Sequence, residues 1–207
     1  MSSLASSRVT AAVERALDDR QREATEEVER ILAAAVRVME RVAPEAPRVS
    51  DIVAEAGSSN KAFYRYFAGK DDLILAVMER GVAIVVSYLQ HQLAKETRAQ
   101  DKVARWIEGM LAQVADPRLI RKSRAAAGQM STGTNWRTVD EDMMRPLRDL
   151  LVEPIAALGS SDVDRDVQAV FCCTSAMLRR YVGSTDRPGP DDIAHVVRFC
   201  LKGLGVD

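Results

Sequence analysis

Hydrophobic positions recur along the chain at intervals of three and four residues. This spacing places apolar side chains on one face of a helix. No segment alternates apolar and polar residues between turn residues, as a half-buried strand does. Short breaks rich in glycine, proline and aspartate separate the periodic segments. The pattern therefore predicts an all-α fold.

An N-terminal extension is predicted at residues 1–24, with a Ser/Ala start and then a charged stretch for which both helix and irregular structure stay open. The predicted helices of the fold follow it. Thr25 and Ser50 are the expected N-caps of the first two helices, because a hydroxyl can accept a hydrogen bond from an unpaired amide. Pro146 and Pro154 predict a kinked or split helix, since each removes an intrahelical hydrogen bond. The predicted helices span about 25–42, 50–56, 59–66, 71–93, 99–115, 117–130, 138–158, 163–182 and 191–204.

Composition excludes several classes of protein. With 47% hydrophobic and 29% charged residues, the chain is too apolar for intrinsic disorder and too charged for a membrane protein. The first ten residues lack the apolar segment of a secretory signal, so we expect a cytoplasmic protein with no membrane partner.

Cysteine and histidine spacing gives no sign of metal or catalytic chemistry. Cys172, Cys173 and Cys200 form no CxxC pair. The adjacent Cys172 and Cys173 are expected to be small buried residues. His91 and His195 lie far apart and have no second ligand at helical spacing. We therefore expect no catalytic site, metal or cofactor. A helical enzyme with a nucleophilic cysteine is the alternative, but no base is placed in sequence to serve it.

The formal net charge of −1 gives no general attraction to nucleic acid, so any DNA affinity requires a local group of cations. Such a group exists around the predicted helices at 50–56 and 59–66, which a turn at Gly57 joins. Two short helices with a glycine turn are typical of a helix-turn-helix. The second contains hydroxyl, amide, cationic and phenolic side chains, all of which can reach phosphates or base edges.

The run GSSNKAFYRYFAGKDDL at 57–73, with IVAEA before it at 52–56, resembles the DNA-binding domain of the TetR family of transcriptional regulators. The resemblance covers about residues 25–75. It implies phosphate contacts by Tyr64 and Lys70, a buried aromatic at Phe67 and a turn glycine at Gly57. The predicted DNA-contacting residues are Arg48, Ser59, Asn60, Lys61, Ala62, Tyr64, Arg65, Tyr66 and Lys70.

Two positions depart from the family pattern. The family usually has an apolar residue where Ser58 stands and commonly an alanine where Val53 stands. We expect Ser58 to leave the turn less anchored, and Val53 to alter the angle between the second and third helices. Neither change removes a donor or a cation that DNA binding needs.

Some residues of the motif have an alternative role. Phe63 and Phe67 are four residues apart and are expected in the core. Lys61 and Arg65 are also four apart, and a merely solvated face explains them without DNA. Arg8 is open to two interpretations, a minor-groove contact or a disordered tail.

The resemblance implies a helix-turn-helix domain at 25–72 and a helical ligand-binding and dimerisation domain at 73–207. The last two predicted helices have the clearest apolar stripes, which suit a dimer interface or packing onto their own domain. The residues of these stripes are Val167, Val170, Phe171, Thr174, Leu178, Tyr181, Ile193, Val196, Val197, Cys200, Leu201 and Leu204.

A small apolar or amphipathic ligand is the expected effector. Adaptable Met and Trp side chains would line its site if they converged, although ordinary core packing explains them as well. The candidates are Trp106, Met110, Met130, Trp136, Met143 and Met144. The predicted function is a homodimeric repressor that binds a palindromic double-stranded operator and is released by ligand. A ligand-independent regulator and a helical adaptor for a protein partner are the alternatives.

Overall fold

A computed structural model describes residues 2–43, 45–121, 124–125 and 136–206, with the backbone alone at 2–7 and 136–141. Its helices are α1 Ser2–Val42, α2 Val49–Glu55, α3 Asn60–Tyr66, α4 Lys70–Leu93, α5 Ala99–Ala115, α6 Trp136–Ala157, α7 Val163–Val182 and α8 Pro190–Gly203. The described residues contain no strand, so the predicted all-α fold is confirmed. Among them, no helix combines the length and the apolar character needed to cross a membrane.

The chain divides into two compact units, Met1–Ile74 and Leu75–Asp207. The first contains α1, α2, α3 and the first residues of α4. The second contains the rest of α4 and the helices that follow it. The sequence predicts a domain boundary after residue 72, close to this division.

The first helix is much longer than predicted. It begins at Ser2, so Thr25 is not an N-cap: its hydroxyl donates to the carbonyl of Gln21 at 2.8 Å, inside the helix. Residues 2–42 contain no glycine or proline and are rich in alanine, glutamate and arginine, which favour helix. The prediction of a helix start near residue 25 was wrong because Thr25 lies inside this continuous run of helix-forming residues.

The N-cap of α2 was also misassigned. The helix begins at Val49, and Arg48 is its N-cap, with extended backbone and no side-chain capping bond. Ser50 lies inside the helix, where its hydroxyl donates to the carboxylate of Asp51 at 3.4 Å.

Two predictions for the second unit can be compared with the structure. The helix α6 runs through both Pro146 and Pro154 and is therefore not split. Of the helix predicted at 117–130, residues 119–121 and 124–125 are helical. Residues 122–123 and 126–130 lie outside the described part of the chain.

The core of the second unit is built around α5, which packs against α6, α7 and α8. Trp106 on α5 is fully buried, and its indole N–H donates to the carbonyl of Leu147 on α6 at 3.0 Å. Gly109 lets α4 approach α5 closely, because a Cβ at this position would lie 2.5 Å from Cδ2 of Leu89. A glycine inside this helix is thus explained by packing.

Candidate nucleic-acid interface

A small aromatic core holds α3 in place. Phe63 is fully buried and Phe67 is almost so, with their ring centroids 5.6 Å apart. Ile52 from α2 and Leu73 from α4 are fully buried in the same unit. Both phenylalanines are therefore core residues, as the sequence indicates. Burial of one face of α3 leaves its opposite face exposed.

The turn before α3 is defined by backbone geometry. Gly57 has φ of +61°, a left-handed conformation that side-chain-bearing residues rarely adopt. The N–H of Ser58 donates to the carbonyl of Val53 at 3.0 Å, which closes the end of α2. Ser59 is the N-cap of α3, and its hydroxyl accepts from the N–H of Ala62 at 3.1 Å.

The exposed face of α3 combines three kinds of polar group. Asn60, Lys61 and Tyr64 are all exposed and lie within about one turn of each other. The Tyr64 ring lies edge-on against Phe63 at 5.1 Å, which restrains a side chain that is 61% exposed. Lys61 has no ion pair among the described residues. This face therefore presents an amide, an ammonium group and a phenol.

Two cations stand at the beginnings of the helices that flank α3 in sequence. Lys70 is the first residue of α4, and Arg48 is the exposed N-cap of α2. A helix N-terminus carries partial positive charge, so a cation there adds to the attraction for phosphate. Asp72 accepts a hydrogen bond from the N–H of Ala68 at 2.9 Å, so one of its oxygens is occupied by the turn.

Three polar side chains of the helix-turn-helix converge on Glu27 of α1. Ser58 donates to Oε1 at 3.2 Å, and Tyr66 donates to Oε2 at 2.9 Å. Arg65 forms an ion pair with the same Oε2, and its guanidinium lies 4.6 Å from the Tyr66 ring centroid. The turn at Ser58 is therefore anchored to α1 by a hydrogen bond.

The surroundings of Glu27 favour its charged form. The hydrogen bond from Tyr66 is the largest influence that lowers the pKa of this carboxyl below its usual 4.5, with further contributions from Ser58 and Arg65. A cleft of about 590 Å³ lies beside it, and its lining is mostly charged. The lining residues are Arg20, Glu23, Ala24, Glu26, Glu27, Arg30, Arg65 and Tyr66.

A second carboxylate ties α2 to α1. Glu55 accepts from Arg37 at 2.8 Å and from Arg41 at 3.1 Å, and hydrogen bonds from Arg37 and Arg41 are the main causes of its lowered pKa. Neither Glu27 nor Glu55 was among the residues predicted from sequence. Their partners lie 14 to 39 residues away, beyond the reach of helical periodicity.

The predicted DNA-contacting residues thus fall into two groups, and their contacts with DNA remain predictions. In the first group, Arg48, Ser59, Asn60, Lys61 and Tyr64 are exposed and Lys70 is half-buried. The others are turned elsewhere: Ala62 is buried in the core, and Arg65 and Tyr66 bond to Glu27.

The apolar stripes of α7 and α8 face the core of their own unit. Half of the predicted interface residues are buried there, namely Val167, Val170, Thr174, Tyr181, Val196 and Cys200. The other half are partly buried against the same core, namely Phe171, Leu178, Ile193, Val197, Leu201 and Leu204. The structure explains both stripes without a partner, so their role in a dimer remains a prediction.

Those predicted ligand-lining residues that the structure describes do not form one site. Trp106 and Met110 belong to the core, and Met144 packs against it. Met130 and the side chain of Trp136 lie outside the described part of the chain. Met143 lines a groove of about 350 Å³ between α4 and α6, whose other lining residues are Glu79, Val82, Ala83, Val86, Ser87, Gln90, Asp142 and Pro146.

Comparison with known proteins agrees with this geometry. Residues 31–77 match the model of the family described as bacterial regulatory proteins, tetR family. A comparison with curated protein sequences finds no match. Solved structures of similar fold include the regulator FadR from Bacillus subtilis in complex with stearoyl-CoA, which is 17% identical with a TM-score of 0.66 over 85% of this chain and 96% of its own.

Two further structures show the same likeness of fold. One is a TetR-family regulator from Mesorhizobium loti, with 12% identity and a TM-score of 0.68 over 87% of this chain and 96% of its own. The other is a regulator from Saccharomonospora viridis in complex with choline, with 18% identity and a TM-score of 0.64 over 87% and 96% of the two chains. The family match lies on the residues that form the helix-turn-helix, and the resemblance inferred from them is confirmed. Residues 31–77 are therefore similar to a domain of bacterial regulatory proteins of the tetR family.

Proposed function

We propose that this regulator binds a palindromic duplex operator as a homodimer and represses transcription from it. The exposed face of α3 carries the proposal, because Asn60, Lys61 and Tyr64 project from a helix whose other face is fixed by Phe63. A helix is narrow enough to enter the major groove, where an amide and an ammonium group can bind base edges.

The polar residues divide into those that position the protein and those that read the sequence. Arg48, Lys70 and Tyr64 are the proposed phosphate-binding residues. Phosphate contacts fix the register of a protein on DNA and carry no sequence information. Asn60 and Lys61 lie in the first turn of α3, the part of a recognition helix that contacts base edges. Asn pairs with adenine and Lys with guanine in the major groove.

Lys70→Ala is expected to weaken binding to every duplex and to reduce the slope of log affinity against log salt by about 0.9, since one phosphate contact is lost. Tyr64→Phe is expected to weaken binding by about 1.5–3 kcal/mol, roughly tenfold or more, with no change of slope because the lost hydrogen bond has a neutral donor. Fluorescence anisotropy over a range of salt concentrations measures both.

Lys95→Ala is the control for these two variants, because Lys95 is exposed just after the end of α4 in the other unit. It should leave affinity and slope unchanged. Equal slopes for Lys70→Ala and the wild type would contradict the phosphate contact. A helical adaptor for a protein partner would instead show no salt-sensitive DNA affinity at all.

Substitution of the base-reading residues should have a different signature. Asn60→Ala and Lys61→Ala are expected to change which base pairs are preferred at their positions, at about 1–3 kcal/mol for each lost bidentate contact. Selection of bound sequences from a random duplex library measures these preferences. If both variants kept the wild-type preferences, the assignment of base readers would be wrong.

The outward faces of α7 and α8 are the proposed dimer surface. Ala169, Cys172 and Ala176 on α7 are small and exposed, so the expectation that Cys172 is buried was wrong. Small exposed residues allow a partner helix to approach closely. Phe199 on α8 is 64% exposed. Paired α7 and α8 helices from two protomers would form a four-helix interface.

The groove between α4 and α6 is the proposed site for a small, largely apolar ligand. Two structures of similar fold were solved with small molecules, stearoyl-CoA and choline. The helix α4 begins at Lys70 and also contributes Val82 and Val86 to the groove, so a ligand that moves α4 would also move a phosphate-binding residue.

Transcription from a DNA template in vitro tests repression: the protein should lower transcript yield from a promoter that contains the selected operator. A yield that rises would indicate an activator.

A further inference from the structure

We propose that Glu27 makes binding selective for the operator by keeping Arg65 away from the DNA backbone, so that this cation adds nothing to non-specific affinity. The inference deepens the proposed DNA-binding function and depends on it. It concerns a residue of α1 that lies outside the helix-turn-helix motif.

The first support is the geometry of the carboxylate. Both oxygens of Glu27 are occupied, Oε1 by Ser58 and Oε2 by Tyr66 and Arg65. The side chain of Glu27 is 21% exposed, whereas that of Arg65 is 60% exposed. The carboxylate is thus half-enclosed by its donors, and a phosphate that recruited Arg65 would leave this negative charge without its ion pair, close to the DNA.

The second support is the arrangement around Arg65. Its Nη2 also donates to the Tyr66 hydroxyl at 2.7 Å, and its guanidinium lies over the Tyr66 ring. The cation is therefore held by three contacts on one side of α3. Lys61, one turn earlier on the same helix, has no ion pair among the described residues and is available to DNA.

The third support is the charge balance. Each phosphate that a protein neutralises adds about 0.9 to the salt slope, and this contribution is independent of sequence. A free arginine on α3 would strengthen binding to every duplex, operator or not. Pairing Arg65 with Glu27 removes that contribution while leaving the base-reading residues Asn60 and Lys61 in place.

Three variants test the inference by salt titration against a random duplex and against the selected operator. Glu27→Gln removes the negative charge and keeps the side-chain shape, so it should steepen the slope on random duplex by about 0.9 and reduce the ratio of operator to random affinity. Arg65→Gln alone should leave the slope unchanged. The double variant should return to the wild-type slope.

Glu26→Gln is the matched control. Glu26 is the neighbouring residue on α1, is exposed, and has no ion pair among the described residues. Its substitution changes the net charge by the same amount but frees no cation of α3. The steepening should therefore be confined to Glu27→Gln. Thermal unfolding of each variant shows whether the fold is retained.

Two results would overturn the inference alone. One is a slope that falls by about 0.9 in Arg65→Gln, since Arg65 would then neutralise a phosphate in the wild-type complex. The other is identical behaviour of Glu27→Gln and Glu26→Gln while the wild type binds its operator. Absence of salt-dependent binding by the wild type and by every variant would contradict the proposed function, and the inference with it.

Discussion

Phe63→Ala is expected to destabilise the first unit by about 3–5 kcal/mol, the usual cost of truncating a buried phenylalanine to alanine. Phe63 is fully buried and contacts the rings of both Tyr64 and Phe67. Domains are stable by about 5–15 kcal/mol, so the loss removes a large part of the total. DNA affinity should fall with the folded fraction, although Phe63 has no polar group to contact DNA.

Hydrogen exchange followed by mass spectrometry measures this prediction, because it assigns the loss to particular peptides. Protection should fall in peptides of α1 and α3 and persist in α5. Leu17→Ala is the control, since Leu17 is 57% exposed on α1 and its substitution should change stability by about 0.5 kcal/mol or less. Unchanged protection of α3 in Phe63→Ala would contradict the proposed core.

Phe199→Asp is expected to convert a dimer into a monomer. A charge in the centre of an apolar interface must lose its hydration on association, which costs several kcal/mol. Light scattering should give twice the chain mass of 22.8 kDa for the wild type and the single mass for the variant. Operator affinity should fall by about 10²–10⁴-fold, because the second half-site is no longer bound by a linked subunit.

The matched control for Phe199→Asp is Val152→Asp. Val152 is also an exposed apolar residue, 41% accessible, but lies on α6 outside the proposed interface. The Val152→Asp variant should have the same mass in solution and the same operator affinity as the wild type. A dimer that survives Phe199→Asp would place the interface on another face.

The local pattern of the sequence was sufficient to predict the aromatic core and most of the helix ends. Helix ends were predicted within about two residues where a glycine, a proline or a cap interrupts the apolar periodicity, as at Gly57 and Gly69. It failed at Thr25, because a residue that can cap a helix can also bond inside one to the carbonyl four residues before it. The high helix propensity of residues 2–42 made α1 continuous through Thr25.

Helical periodicity could not predict which residues of different helices contact each other. Helical spacing predicts that Arg65 is exposed. It does not show that Arg65 forms an ion pair with Glu27, 38 residues earlier. The sequence also left open whether the apolar stripes on α7 and α8 pack on their own unit or on a second protomer. An amphipathic face indicates that a helix is buried on one side but does not identify what covers that side. Residues such as Val170 and Val196 are covered by their own unit, and only residues on the opposite faces, such as Phe199, are left for a partner.

The decisive experiment for dimeric binding to a palindromic operator is selection of bound duplexes from a random library by the purified protein. The mass of the bound complex is then measured. We expect an enriched palindrome whose half-sites are separated by about one helical turn, roughly 34 Å, bound by an even number of protomers. Enrichment of a sequence without two-fold symmetry by a single protomer, or no enrichment at all, would contradict it.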